Sequence, residues 1–230
     1  MNIKMKSGLL ALATVALLGS QAALAQVNVT AGDRIKFADG PGASPGGAFI
    51  LTAYDSTGTT VKGSFESFCV EKNEYMSYGT FYKIQGVSTS AKNGGVSGQT
   101  SPNNDPLGFN TAWLYTQYIE NPSALGAVAG WNAADAVQRG TAMQQAVWFM
   151  EGEISSGLNP LAFSLVTASN NAGWNNVGRV KILNVTTMAG GLAQDQLYIT
   201  PVPEPEIYAM MGLGLGLMGF MARRRKQAAA

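Results

Sequence analysis

The sequence predicts an α+β fold, mostly antiparallel β in a sandwich or barrel-like sheet, with a helical insertion at about residues 110–170 and a C-terminal transmembrane helix. Three observations carry this. Short β-favouring runs separated by Gly, Pro, Asn and Ser turns fill the stretch from Val27 to Tyr82. Apolar residues at helical spacing, with capping residues ahead of them, then take over from Asn110 to about Ala168. Finally, an uncharged run from Ile207 to Ala222 precedes four basic residues.

At the N-terminus, Lys4 and Lys6 precede the apolar run Gly8 to Gly19, and a small-residue stretch ends in Ala23-Leu24-Ala25. A charged head, a short apolar core and an A-x-A end read as a signal peptide over residues 1–25, cut after Ala25. The core is too short for a comfortable membrane span. This predicts export, with the Sec export machinery as a partner.

The body, residues 26–201, is long enough for one domain with a sizeable core. Six of the fifteen basic residues and two of the fourteen acidic ones lie in the ends, so nine and twelve remain and the body sits near −3. With no basic cluster to follow a phosphate backbone, nucleic acid is not an expected partner. The chain has no histidine and one cysteine. Ser-His and Cys-His nucleophiles are thereby excluded, as are histidine or multi-thiolate metal sites. No cofactor and no metal are expected, and the chain is not expected to be an enzyme. A hydrolase built on carboxylates would need two facing acids; Glu66, Glu71, Glu151 and Glu153 are the candidates, and their spacing singles out no pair.

In chain order, residues 27–30 and 34–37 read as short strands around an Ala31-Gly32-Asp33 turn. Residues 39–47, with Gly40, Pro41, Gly42, Pro45 and Gly46, read as a loop. Residues 48–54 and 59–70 form a hairpin around Ser56-Thr57-Gly58, and 80–85 is another strand. The polar stretch 86–108 is expected to be a long surface loop. A helix is expected over 110–120, stopped by Asn121-Pro122. A longer one is expected over 133–154 with Asn132 as its cap, and a third starts at Asn159-Pro160. Residues 179–186 and 196–200 return to strand character.

The chemistry centres on two places. A lone cysteine in an exported protein has no partner for an internal disulfide, so Cys69 invites another explanation. On the long helix, Met143, Ala146, Val147, Met150 and Ile154 share a face. Gln144 lies about 100° from its centre and Gln145 roughly 155° away. Gln144 is therefore expected at the margin of the buried face and Gln145 in water.

Taken together, Phe68-Cys69-Val70-Glu71, Gly79-Thr80-Phe81-Tyr82 and Gln144-x-Ala146-Val147-Trp148 resemble the thioester domains of bacterial surface adhesins, over about Phe65 to Glu151. One departure is Met143, where that family usually has Thr. The resemblance implies a strand-borne Cys69 joined to a helix-borne Gln144 in an internal thioester. It also implies covalent attachment to a surface or matrix partner that offers an amine or hydroxyl. Phe68, Tyr82, Trp113 and Trp148 are the candidate shielding aromatics. The plainer reading is a buried free cysteine in a structural matrix protein.

The tail, residues 202–230, holds Val202, Pro203, Glu204 and Pro205, a transmembrane segment at 207–222, and Arg223, Arg224, Arg225 and Lys226 as a basic stop. It looks like a PEP-CTERM sorting signal. That resemblance implies processing by an exosortase in a Gram-negative, exopolysaccharide-making bacterium. The protein would be anchored transiently in the inner membrane, then released to the cell surface or matrix, with exopolysaccharide a further candidate partner.

Overall fold

A computed structural model of the chain describes residues 27–43, 46–92, 95–96 and 104–202, together with Leu213 and Leu215. The expected signal peptide, with Ala23 and Ala25, lies outside the described residues. So do Pro203, Glu204 and Pro205, the 207–222 run apart from those two leucines, and Arg223, Arg224, Arg225 and Lys226. Val202 is described and exposed. Among the described residues no helix is long and apolar enough to cross a membrane.

The main sheet is antiparallel. It is built from β1 (Arg34–Ala43), β2 (Gly46–Tyr54), β3 (Val61–Ser67) and β4 (Phe81–Ser88), with two late strands, β7 (Val180–Thr187) and β8 (Gln196–Ile199). Their order is β3-β2-β1-β4-β7-β8. Past the end of β3 the chain turns onto the free edge of β8. Leu197 N–H donates to the Phe68 carbonyl (3.0 Å) and Val70 N–H to the Asp195 carbonyl (3.1 Å), so Cys69 bridges Gln196. The two edges of the sheet thus meet, and a nearly closed, barrel-like sheet results.

Alternation explains the interior. Ile35, Phe37, Leu51, Ala53, Tyr82 and Ile84 point inward to one core with Leu183, Val185 and Tyr198. Val27 and Val29 are buried in the same core but are not a strand, contrary to the expectation for 27–30. Instead of a ladder, the Tyr198 hydroxyl accepts from Val29 N–H (3.2 Å) and donates to the Val27 carbonyl (2.7 Å). The expected 39–47 loop is likewise not a plain one: β1 runs on to Ala43 and β2 begins at Gly46, with a register shift between Asp39 and Gly42. At that tip Gly42 has φ +149°, and a Cβ on it would fall 2.3 Å from the Gly47 Cα, so only glycines let the strands run on.

Between β4 and the helices, β5 (Ser90–Ala91) pairs with β6 (Asp105–Pro106). Ala91, Asp105 and Leu107 are buried, so both described ends of the expected 86–108 loop pack against the body. Polar side chains hold it: Lys92 N–H donates to Asp195 (2.9 Å) and Val96 N–H to Glu153 (2.8 Å).

The helical insertion comprises α1 (Phe109–Glu120), a 3-10 turn (Pro122–Ala127), α2 (Ala136–Met150) and α3 (Pro160–Asn171). The cap of α2 is Asp135, not Asn132, because Asp135 and Gln138 bond each other's main-chain N–H in a reciprocal box (2.8 and 2.9 Å). The helix ends at Met150, short of the expected Ile154, where Gly152 takes φ +80°. Asn159 caps α3 as its sequence suggests, accepting from Ala162 N–H (2.8 Å). These helices form a second core with Phe68, Val70, Val180, Ile182, Leu197 and Ile199. Strands β7 and β8 are therefore buried on both faces, which accounts for the consecutive apolar residues Ile182-Leu183 and Leu197-Tyr198-Ile199.

Candidate functional site

Cys69 lies where the sheet closes, and its position in the ladder decides what is near it. Its neighbours Phe68 and Val70 supply the main-chain bonds to β8, which leaves the N–H and C=O of Cys69 itself facing the other way. Gln144, from α2, takes both. Its Oε1 accepts from Cys69 N–H (3.1 Å) and its Nε2 donates to the Cys69 carbonyl (2.8 Å), so the carboxamide acts as a short stand-in for a neighbouring strand. The thiol also donates to Oε1, at 3.2 Å. Since a C=O bond is about 1.2 Å long, the sulfur lies within about 4.4 Å of the carboxamide carbon.

Both residues are fully enclosed; Gln144 is 0% exposed and does not sit at a margin. Its extra cover is the β1–β2 tip. A Cβ on Gly46 would fall 2.8 Å from the Trp148 ring and 3.2 Å from Gln144 Cγ. One on Gly140 would fall 1.9 Å from the Pro41 carbonyl oxygen. Gly140, Gln144 and Trp148, spaced four apart, thus form the flank of α2 that meets the tip. Gln145 is not free in water: its Oε1 accepts from Asn159 N–H (2.9 Å), at the start of α3.

The four aromatics separate. Trp148 lies over the pair, and Phe68 packs edge-on against Tyr115 and Tyr118. Tyr82 lies inside the barrel core, edge-on to Phe37, with its hydroxyl accepting from Ser77 N–H. Trp113 lines a groove of about 490 Å³ together with Val128, Phe163 and Thr167.

Burial pushes the Cys69 thiol well above its ordinary value, and the charges of Glu71 and Glu153 add to this. Against them works the Trp148 indole N–H, which favours the thiolate and has no nitrogen or oxygen partner. The resting pair is therefore a protonated thiol on a carboxamide oxygen. That oxygen is also where negative charge would develop on attack by sulfur, and Cys69 N–H already donates to it.

Acidic residues surround this region, and of these Glu74, Asp105 and Asp195 are not singled out by the sequence. Burial, then the charges of Asp195 and Glu74, push Glu71 up to about 9. Burial and Asp195 push Glu74 to about 7, and burial and Glu153 push Asp105 to about 6. Glu151 rises to about 7, chiefly by burial, while Thr111 and Gly108 donate to it. Their signal in sequence is weak, because acids at 71, 74, 105, 151, 153 and 195 share no spacing. Among the described residues no three acids or thiols form a group able to hold a metal ion. Glu66 is bonded by Tyr118, Glu151 by Thr111, and Glu153 by the amides of Lys72 and Val96.

Comparison with known families matches residues 201–226 to the PEP-CTERM protein-sorting motif. No curated protein and no solved structure matches the chain. The motif implies export, a C-terminal sorting tail and processing by an exosortase.

Proposed function

We propose that the chain is a cell-surface or matrix protein whose folded body attaches covalently to a partner through a thioester between Cys69 and Gln144. The division into a signal peptide (1–25), an exported body (26–201) and a sorting tail (202–230) belongs to the same reading. One observation carries the covalent part: the Gln144 carboxamide is clamped on both main-chain groups of Cys69 with the thiol against its oxygen. Formation needs no outside reagent. The sulfur bonds to the carboxamide carbon, the carbon–nitrogen bond breaks, and the thiol proton leaves with the nitrogen as ammonia. A partner amine or hydroxyl then takes the glutamyl group and returns a proton to sulfur. The protein acts once in this scheme, as a reagent rather than a catalyst.

A second reading is favoured by the same geometry. Gln144 satisfies every main-chain group it meets, so the pair also serves as a purely structural clamp around a reduced cysteine. Intact mass of the exported chain separates the two. The thioester requires a deficit of one ammonia, uptake of one methylamine, and loss of both in Cys69→Ala. Full mass with a titratable thiol establishes the clamp alone.

A further inference from the structure

The outer face of the barrel carries a feature that is independent of the Cys69–Gln144 pair. In the β1–β2, β1–β4 and β2–β3 registers, Arg34 stands opposite Tyr54 and Lys83, Lys36 opposite Thr52 and Phe81, and Thr52 opposite Ser64. Directly opposed residues share a face, and this is the face that turns away from Ile35, Phe37 and Ile84. Among the described residues the ion pairs are Lys62 with Asp33 and Arg179 with Glu120; Arg34, Lys36 and Lys83 have no carboxylate partner. Aromatic rings hold two of them instead. Lys36 Nζ lies 4.1 Å from the Phe81 centroid and 5.7 Å from that of Tyr54, and the Arg34 guanidinium lies 5.9 Å from Phe81. Of the acids near these cations in the chain or the sheet, Asp33 pairs with Lys62, Asp39 accepts from the Tyr78 hydroxyl, and Asp55, beyond the end of β2, is occupied by Thr57 and by Thr59. Thr52 and Ser64 add paired hydroxyls, 2.9 Å apart.

We propose that this face binds an acidic polysaccharide, whose carboxylates meet Arg34, Lys36 and Lys83 while its hydroxyls meet Thr52 and Ser64. Charge complementarity selects the class. The cations sit about 5 Å apart across strands and about 7 Å apart along one, which spreads them over a strip of sheet rather than a continuous track. The remaining body has twelve acids against six other bases. A nucleic acid, held through its phosphates, is repelled by these acids beyond the strip, whereas an acidic polysaccharide also brings ring hydroxyls on every unit to Thr52 and Ser64.

The test is binding of the full chain to polygalacturonate, with neutral dextran and single-stranded DNA as the other arms. The expected result is salt-sensitive binding to polygalacturonate alone. It should weaken by about tenfold for each cation removed in Lys36→Gln and Lys83→Gln and persist in Cys69→Ala. Lys83 is exposed, so its variant folds normally and keeps the test decisive if Lys36→Gln does not. No binding to polygalacturonate, equal binding to dextran, tighter binding to DNA, or binding unchanged in Lys83→Gln would overturn the proposal. None of these outcomes bears on the mass deficit, so this proposal and the thioester stand or fall separately.

Discussion

Gly46 and Trp148 approach so closely that no side chain fits between them: a Cβ on Gly46 would lie 2.8 Å from the indole ring. The glycine-rich tip of β1–β2 is thereby a cover on the Gln144 flank of α2. Gly46→Ala should force the tip away from the ring and cost about 1–3 kcal/mol by overpacking. Urea unfolding gives the cost. Methylamine uptake in the same variant should be faster than in the parent, because water and amines reach the pair sooner; uptake slower than the parent would refute the cover.

Removing the two members of the pair should have unequal effects. Gln144→Ala leaves the N–H and C=O of Cys69 buried without partners and should cost about 2–5 kcal/mol. Cys69→Ala keeps both main-chain bonds and should cost about 1 kcal/mol. Gln145→Ala loses one bond, to Asn159 N–H, and should leave any mass deficit unchanged. Denaturant midpoints and intact masses of the three variants check the order.

Stability should fall as pH rises. The buried acids Asp105, Glu74, Glu151 and Glu71 are raised in the folded state to about 6, 7, 7 and 9. A raised carboxyl favours the folded chain fully below its unfolded value, near 4. It loses that advantage as pH climbs through the folded value. The melting temperature should therefore decline between pH 5 and pH 9, and Glu71→Gln, which stays neutral, should flatten the upper part of that decline. A melting temperature that rises over this range would contradict the burial of these groups.

The sorting tail predicts a shortened product. Mass spectrometry of the exported chain should find Arg223, Arg224, Arg225 and Lys226 gone, with the new end near Pro203 and Glu204. Replacing the four basic residues with Gln should leave the precursor unprocessed or misplaced. A surface-exposed chain that still ends in the arginines would rule out processing.

Features written in local chemistry were readable from sequence. Asn159-Pro160 announces α3, and Thr57-Gly58 announces the β2–β3 turn, because capping and left-handed turns depend on few neighbours. Errors arose where a distant residue decided. Val27 and Val29 look like a strand, but the Tyr198 hydroxyl, far along the chain, takes their main-chain groups. Asn132 and Asp135 are both good caps, and the reciprocal bond with Gln138 decides for Asp135. At the site, helical periodicity places Gln144 at the margin of a face, yet Pro41, Gly42 and Gly46 of the β1–β2 tip lie against that flank of the helix. Periodicity describes one helix and knows nothing of what lies against its flank.

The closure of the sheet at Cys69 has a mechanical consequence. Strand β8 is the last strand before the sorting tail, so any pull on a tail-tethered molecule enters the body there. β8 is held by β7 along one edge and by Phe68–Val70 along the other. All four of its residues are buried. Force on the tail must strip two ladders together rather than peel a free edge, so the strand nearest the sorting tail is fixed on both sides against load.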